Sequence, residues 1–358
     1  MKIAILTFQF AYNYGAMLQA YALRKYLISL EHEVDVVPYY PLHLKQGYSI
    51  SPFEQGISLK HRIYNLLTYW KRAEQALKFD VFKKYLVNTE EFTESDKIPE
   101  YLKAYDLLVC GSDQIWNNKI TGNTAIYFGG NIQISKMAYA ASLGGKILDE
   151  VQMKNARVYL PSFVTVSVRE EMTRFLLGHI RDDIAVVCDP VFLQDEQMWK
   201  EIEKPVKIEE KYLLLYFLED SKELVERAKE YAKENHLHIY EIHPTFDMHH
   251  NGIKILKKIG PAEFIYLIRN ASAICTNSFH AVSFSIIFRK KLLHIPNSMS
   301  PERTQNILNK SGIELHDNDP FYDLGEAVDR LAGYISESKN FIKESLQKVT
   351  LKKEEFKF

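Results

Sequence analysis

The sequence of 358 residues has little cysteine. Its three cysteines, Cys110, Cys188 and Cys275, are far apart and form no C-x-x-C pair. An odd, scattered set excludes a disulfide framework and is typical of a reducing compartment, so we expect a cytoplasmic protein. With 15 glycines and 12 prolines, the composition also excludes collagen-like and low-complexity chains.

Long apolar runs and an excess of one charge are also missing. The best apolar run, residues 212–218, has the length of a strand and is far below the roughly 18 residues that span a bilayer. The 45 basic and 46 acidic residues nearly cancel, so the overall charge does not suggest a nucleic-acid partner. We therefore expect a soluble protein that binds no nucleic acid and whose contact with a membrane would be peripheral.

The sequence does contain strand-length apolar runs that alternate with segments of helical period, a pattern typical of parallel sheets. At roughly 150 residues per domain, the length predicts two domains. We place an N-terminal domain at residues 1–193, with a helical insertion at about 44–100, and a C-terminal domain at 194–358 that ends in a long bracing helix, expected at 324–349. The charged residues 194–210 are the expected linker. The predicted fold class is α/β, with two Rossmann-like parallel-sheet domains that face a cleft.

Candidate residues lie in the loops between strands and helices, because parallel sheets bind ligands at the carboxyl ends of their strands. The first loop contains Asn13, Tyr14 and Gly15 and ends where a helix begins. Free backbone N–H groups there can face an anion, although a plain helix cap with a tight turn is the alternative. The loop matches neither the dinucleotide fingerprint nor the phosphate-binding loop of NTPases.

A second loop follows the strand expected at residues 105–110 and combines Gly111 with Asp113, Gln114 and Trp116. Glycine lets a ligand approach the backbone, the carboxylate and amide form hydrogen bonds, and the indole offers a face to a sugar ring. Turn formation alone explains Gly-Ser-Asp but not the tryptophan. The loop is therefore a candidate ligand site.

A third loop places Asn277, Ser278 and His280 at the start of a helix. A helix N-terminus favours an anion and an imidazole titrates near neutral pH, so His280 is a candidate acid/base, with a half-buried capping histidine as the alternative. Arg169 follows the strand expected at residues 163–168. It could clamp a carboxylate or phosphate, or pair with a neighbouring glutamate on the surface.

Five motifs occur in order along most of the chain. They are A-Y-N-Y-G-A-M-L-Q-A from residue 11, Y-D-L-L-V-C-G-S-D-Q-I-W-N from residue 105, S-V-R-E-E from residue 167, C-D-P-V-F-L from residue 188 and T-N-S-F-H-A-V-S-F from residue 276. Together they resemble the polysaccharide pyruvyl transferase family. The resemblance implies a fold like the two-domain GT-B glycosyltransferases. It also implies transfer of pyruvate from phosphoenolpyruvate, the donor substrate, to two hydroxyls of one sugar in a cell-surface polysaccharide precursor, which forms a cyclic ketal.

The resemblance also implies roles for residues: His280 as general acid/base and Arg169 as a cation that holds the donor. Some members carry an arginine two residues before the histidine, where this chain has Ser278. Arg303, Lys136 or Lys290 could replace that cation, although Lys290 could equally be a solvated helix end. We expect no cofactor and no metal. The expected contacts are Asn277, Ser278, Arg303 and Lys136 for the donor, and Asn13, Tyr14, Gly15, Asp113, Gln114 and Trp116 for the acceptor.

Two other functions are open alternatives: a nucleotide-sugar glycosyltransferase of the same architecture and a catalytically silent glycan-binding or assembly protein. The basic, aromatic helix expected at residues 59–87 could touch a membrane that carries a lipid-linked acceptor, or could be solvated or packed on its own domain. One further region is rich in histidine but lacks metal-ligand spacing. Its residues are His236, His238, His243, His249 and His250.

Overall fold

The first half of the chain forms one six-stranded sheet with helices around it. A computed structural model describes residues 1–145, 147–209, 211–242, 250–296, 301–315 and 321–355. The strands of the first sheet are β1 (Lys2–Leu6), β2 (Glu33–Val36), β3 (Leu107–Cys110), β4 (Ser135–Ala141), β5 (Thr165–Val168) and β6 (Ala185–Val186). Its helices are α1 (Tyr14–Ser29), α2 (Leu42–Tyr48), α3 (Leu59–Lys83), α4 (Ile98–Tyr101), α5 (Asn118–Thr121), α6 (Glu150–Tyr159) and α7 (Glu171–Leu177).

The second half repeats this arrangement. Its strands are β7 (Tyr212–Tyr216), β8 (His238–Ile242), β9 (Lys254–Ile255), β10 (Ala273–Thr276), β11 (Lys291–His294) and β12 (Tyr322–Asp323). Its helices are α8 (Glu196–Ile202), α9 (Lys222–Glu234), α10 (Pro261–Asn270), α11 (Phe279–Ile287), α12 (Pro301–Lys310), α13 (Ala327–Arg330) and α14 (Ala332–Glu355). Short 3₁₀ turns occupy Ser95–Lys97, Leu102–Ala104, Ile126–Phe128, Leu160–Ser162 and Pro190–Leu193.

Both sheets have a strand order that reverses near the middle. The first sheet runs β2-β1-β3-β4-β5-β6 and the second runs β12-β11-β10-β7-β8-β9. All pairs are parallel except β11 with β12. The order reverses between β1 and β3 and again between β7 and β10, and such switch points open a crevice at the carboxyl ends of the strands. The predicted fold class, two parallel α/β sheets, is confirmed.

Local sequence explains why the elements form where they do. All four residues of β3 are buried, and the same holds for β10, so both strands are central and apolar on both faces. Helix α1 begins after Asn13, whose side chain accepts a hydrogen bond from the backbone N–H of Ala16 at 3.1 Å. Helix α6 begins with a capping box formed by Asp149 and Gln152.

One apolar cluster spans both halves, and each half also has a cluster of its own. One cluster of buried side chains joins Met17 and Phe79 of the first half to Trp199 and Phe284 of the second. The ring of Tyr14 also crosses the boundary and stacks on Phe264, with centroids 4.4 Å apart and planes 2° apart. Helix α1 therefore lies between the two sheets as a common packing element.

The last helix returns to the first sheet. The Thr165 hydroxyl at the start of β5 donates to Ser345 Oγ on α14 at 2.8 Å. The backbone N–H of Cys188 donates to Ser338 Oγ on the same helix at 2.9 Å. Both hydrogen bonds are buried, so α14 covers the N-terminal half although it follows the C-terminal one in sequence.

Three parts of the second half differ from the sequence prediction. The stretch expected as a linker contains α8, which Trp199 anchors because its side chain is fully buried. The terminal helix expected at 324–349 is two helices, α13 and α14. Helix α12 was not expected at all. In the described part of the chain, no helix is both long enough and apolar enough to cross a bilayer.

Candidate active site

A cavity of about 130 Å³ lies where the switch points of the two sheets face each other. Asn13 and Asp113, which follow β1 and β3, line it from the first half. Leu218 and His280, which follow β7 and β10, line it from the second half together with Arg303 of α12. Loops that are distant in sequence meet here because each leaves the carboxyl end of a strand.

Arg169 follows β5 and lies just behind the cavity wall, with its side chain 3% exposed. Its Nη1 donates to Asp189 Oδ2 at 2.7 Å and its Nε donates to Glu170 Oε1 at 2.9 Å. Its Nη2 lies 3.6 Å from Asp113 Oδ1. Burial alone would lower the pKa of Arg169, but the three carboxylates raise it above its usual range. One alternative for Arg169 was a surface pair with a neighbouring glutamate. Glu170 is indeed its partner, but the pair is buried.

Arg303 brings a second guanidinium from the C-terminal half. Its Nε lies 3.5 Å from Glu170 Oε1 and its Nη2 lies 3.8 Å from Asp113 Oδ1. The Phe279 ring lies against both guanidinium groups, with its centroid 4.7 Å from Arg169 Cζ and 5.2 Å from Arg303 Cζ. Burial, and then the charge of Arg169, lower the pKa of Arg303 to about 10. An anion bound between the two arginines would relieve this repulsion.

His280 lies at the second position of α11, and its Nε2 is 3.5 Å from Asp189 Oδ2. Its ring also packs closely against Gly15 of α1, where a Cβ atom would lie only 2.0 Å from His280 Nδ1. Burial alone would raise the pKa of Asp189, but His280 and Arg169 hold it well below its usual range. Asp189 therefore stays charged and faces both the imidazole and the guanidinium through the same oxygen.

Three nitrogen atoms in or just behind this wall are buried and lack a hydrogen-bond partner among the described residues: Arg169 Nη2, Arg303 Nε and His280 Nε2. A buried polar group without a partner costs about 1–3 kcal/mol, so a ligand that accepts these hydrogen bonds is stabilised. The three nearby carboxylates offset the positive charge. Affinity for an anion must therefore come from directed N–H groups and not from net charge.

Besides His280 and Arg303, four more expected residues line the cavity: Asn13, Asp113, Gln114 and Ser278. The Asn13 side chain also caps α1. The two alternatives for this loop, a helix cap and a ligand contact, are therefore compatible. Gln114 Oε1 accepts a hydrogen bond from Asn117 Nδ2 at 2.8 Å, which fixes its amide. Ser278 precedes α11 and makes no capping hydrogen bond with its side chain.

Lys136 was expected to contact the donor and Trp116 the acceptor. Both expectations are corrected, because the two side chains lie in the protein core and not in the site. Lys136 Nζ donates to the carbonyl oxygens of Gly129 at 3.1 Å and Ile132 at 3.2 Å. The Trp116 side chain is fully buried, its Nε1 donates to the Tyr127 carbonyl at 2.9 Å and its ring stacks on Phe128. Neither side chain lines the cavity, because each is held by backbone carbonyls of the segment before β4.

Tyr14 and Asn277 hold the architecture of the site. The Tyr14 hydroxyl donates to the Ile259 carbonyl at 3.0 Å across the boundary between the halves. Asn277 Oδ1 accepts from the Leu218 N–H at 2.7 Å, and its Nδ2 donates to the Glu219 carbonyl at 2.6 Å. These bonds tie the loop after β10 to the loop after β7, so both residues position the cavity and do not face it with free polar groups.

The structure adds three residues that the sequence analysis did not assign to the site: Asp189, Glu170 and Phe279. Asp189 follows β6 in the C-D-P motif, and an aspartate at the carboxyl end of a strand was a usable signal. Glu170 was considered only as a surface partner. No sequence signal pointed to Phe279. Its contact with Arg169 and Arg303 forms only when the two halves of the chain pack against each other.

The histidine-rich region is only partly described, because His243 and His249 lie outside the described residues. Within the described part, His250 Nδ1 lies 2.9 Å from Oε2 of the buried Glu241. No group of three or more metal-ligating side chains is found among the residues that the structure describes.

Solved structures with this fold include nucleotide-sugar enzymes at low sequence identity. A putative UDP-N-acetylglucosamine 2-epimerase from Listeria monocytogenes has a TM-score of 0.52 and 11% identity, over 97% of this chain and 90% of that one. The enzyme from Neisseria meningitidis bound to UDP-GlcNAc has a TM-score of 0.49 and 12% identity, over 97% and 100% of the two chains. At such identities, the Listeria structure shows only that the two-domain GT-B-like fold is shared.

No curated protein gives a significant match to the chain. The family model described as polysaccharide pyruvyl transferase matches residues 13–299. The match begins at Asn13, the last residue of the loop after β1, and spans the loops after β3, β5, β6 and β10, so it includes every residue discussed at the site except Arg303. It confirms the resemblance found in the ordered motifs. The chain belongs to the polysaccharide pyruvyl transferase family, a family of transferases.

Proposed function

We propose that this protein transfers pyruvate from phosphoenolpyruvate to two hydroxyl groups of one sugar in a polysaccharide precursor and so forms a cyclic ketal. The observation that carries this proposal is the convergence of three buried nitrogens without hydrogen-bond partners in the described chain, from Arg303 and His280 in one cavity wall and from Arg169 just behind it. Phosphoenolpyruvate carries a carboxylate and a phosphate on one small skeleton. It therefore needs anion contacts from more than one direction beside a proton donor.

The ion-pair distances support a donor site at the two arginines. Arg303 lies 3.5 Å from Glu170 and 3.8 Å from Asp113, and Arg169 lies 3.6 Å from Asp113. Contacts of this length are weak, so the oxygens of a bound phosphate or carboxylate can replace them at hydrogen-bond distance.

His280 is suited to the proton transfers. It delivers a proton to the methylene carbon of phosphoenolpyruvate while the first sugar hydroxyl adds to C2. The C–O bond to phosphate then breaks, the oxygen leaves with the electron pair, and the second hydroxyl adds to C2. One hydroxyl proton ends on the new methyl group and the other on the phosphate. Asp189 orients the imidazole in this scheme, and a general acid/base of this kind contributes about 10²- to 10⁴-fold.

In this proposal, the acceptor sugar binds on the side of the cavity that the first half of the chain forms. Asn13, Asp113 and Gln114 line that side of the cavity and offer amide and carboxylate groups. Such groups form hydrogen bonds with vicinal or 1,3-related hydroxyls. Trp116 has no role in this contact because its ring is fully buried.

The test is incubation of the full chain with phosphoenolpyruvate and a panel of glycosides. Mass spectrometry should find a glycoside that gains pyruvate less one water, and phosphate should be released in equal amount. A parallel thermal-shift series compares phosphoenolpyruvate with nucleotide sugars. Stabilisation by a nucleotide sugar alone would support the glycosyltransferase alternative, and glycan binding without phosphate release would support a silent binding protein.

Arg303→Met is the matched variant for donor binding, with Arg289→Met as its control. Arg289 is a half-exposed arginine that pairs with Asp329, away from the cavity. The thermal shift with phosphoenolpyruvate should shrink in Arg303→Met and persist in Arg289→Met. Equal shifts in both variants would remove Arg303 from the donor site.

A further inference from the structure

The outer face of α3 is apolar and exposed. Ten of the seventeen large apolar side chains that are exposed in the described chain lie between residues 42 and 85. Trp70 is 84% exposed and Leu67 is 73% exposed. A monomeric protein rarely leaves such a concentration of apolar surface in water without a binding function.

These side chains form one stripe along the helix. At about 100° per residue, the six residues below fall within an arc of about 100°. They are Leu59, Ile63, Leu66, Leu67, Trp70 and Leu77. The opposite side of α3 is also apolar, but Ala76, Phe79 and Phe82 there are buried in the protein. Helix α3 thus has one apolar face covered by its own chain and a second that is open to solvent.

The charge of α3 differs from that of the whole chain. Residues 59–83 contain six lysines and arginines but two acidic residues, whereas the net charge of the chain is −1. Both acids are paired, Glu74 with Lys258 and Asp80 with Lys83. Two of the cations are paired with acids outside the helix, Lys78 with Glu263 and Lys83 with Glu91. Lys60 and Arg62 are exposed at the edges of the stripe. An apolar stripe bordered by cations is complementary to an anionic lipid surface.

The inner side of α3 reaches the active site. A small cavity of about 60 Å³ is lined by Arg72 and Gln75 of α3 and also by Asn13 and Leu218. Asn13 and Leu218 line the active-site cavity too, so the two cavities share a wall. The exposed stripe therefore lies on the back of a helix whose front borders the acceptor side.

We propose that the outer face of α3 docks this protein on an anionic membrane surface, with the helix lying parallel to the bilayer. The apolar side chains enter the boundary between headgroups and acyl chains, and Lys60 and Arg62 contact lipid phosphates. The docking itself needs only α3. The consequence that a lipid-linked acceptor is delivered to the cavity rests on the proposed function.

Flotation of the full chain with vesicles tests the docking. The protein should float with vesicles of phosphatidylcholine and phosphatidylglycerol, less with phosphatidylcholine alone, and less at high salt. The double variant Leu67→Glu/Trp70→Glu should reduce the floated fraction at least about tenfold. The matched control is Phe175→Glu on α7, which charges a side chain of similar exposure, 79%, outside the stripe.

Tryptophan fluorescence gives a second readout. The chain has three tryptophans, and Trp116 and Trp199 are fully buried while Trp70 is exposed. Anionic vesicles should shift the emission of the wild type to shorter wavelength because Trp70 leaves water. Trp70→Phe keeps the apolar stripe, so it should retain flotation and lose the shift.

Absence of flotation with anionic vesicles overturns the proposal. So does light scattering that shows a dimer which Leu67→Glu/Trp70→Glu converts to a monomer, because the stripe is then an interface between copies of the chain. Activity on a soluble glycoside separates this proposal from the proposed function, since the double variant should turn over that acceptor as the wild type does. Activity without flotation removes only the docking, and flotation without activity removes only the function.

Discussion

Gly15 of the first half and His280 of the second half are in direct contact. The ring of His280 occupies the space in which any side chain at position 15 would begin, because a Cβ there would lie 2.0 Å from Nδ1 and 2.3 Å from Cγ. The absence of a side chain at position 15 therefore fixes how deeply the imidazole sits between the halves. Gly15 is a positioning residue, although the sequence suggested it as an acceptor contact.

Gly15→Ala should lower turnover by about 10²-fold, since displacement of a catalytic group by about 1 Å can cost that much. Helix α1 itself should tolerate alanine, which has a higher helix propensity than glycine. The measurement is kcat with phosphoenolpyruvate together with the melting temperature. Gly47→Ala on α2 is the control, because a Cβ there meets no atom within 4 Å. Similar kcat values in the two variants would contradict the contact.

His280→Asn should lose about 10²- to 10⁴-fold in turnover while the protein still folds, because asparagine forms hydrogen bonds but transfers no protons. Single-turnover phosphate release measures the effect, and circular dichroism checks the fold. His238→Ala at the exposed start of β8 should keep full turnover. Turnover at the wild-type rate in His280→Asn would remove His280 from the chemistry.

Arg303→Lys should make donor binding dependent on pH. Burial and Arg169 lower the pKa of Arg303 to about 10, so the arginine keeps its charge at neutral pH. The same surroundings lower the pKa of a lysine from its usual value of about 10.4, and the lysine loses its charge as the pH rises. The ratio of KM for phosphoenolpyruvate between variant and wild type should therefore increase from about pH 7 to pH 9. A constant ratio would contradict this, and Arg289→Lys is the control.

Asp189→Asn should lower the free energy of unfolding by about 2 kcal/mol or more, because it removes the charged acceptor of the buried Arg169. The pKa of Asp189 is depressed in the folded protein, so its stabilisation is complete above the unfolded value of about 3.9 and is lost as the pH falls below it. The difference between wild type and variant in urea unfolding should shrink on acidification. Asp182→Asn, at an exposed position after α7, should show no such difference.

The sheets and the loops at their carboxyl ends could be predicted because their signals are local. Buried strands such as β3 and β10 are short apolar runs, and the polar residues that follow them must lie at one edge of a sheet. Arg169 and His280 are candidates on this ground, and the family resemblance then implies their roles. Parallel topology then brings them to the same cavity wall, with Asp189 between them.

The direction of a side chain could not be predicted in the same way. Trp116 and Lys136 have the chemistry of a binding site, but both are fixed by carbonyl oxygens of residues 127–132, a segment without a strong sequence pattern. Helix α12, which supplies Arg303, is mostly polar, and only Thr304, Ile307 and Leu308 are buried. Its one local signal is the proline at its first position.

The common core has a consequence for exchanging parts between relatives. Tyr14 of α1 stacks on Phe264, and α14 bonds back to β5 and Cys188. A chimera that joins residues 1–193 of this chain to the remainder of a distant homologue would mismatch both surfaces at once. Functional recombinants must therefore take the region from α1 to β5, helix α10 and the last helix from the same parent.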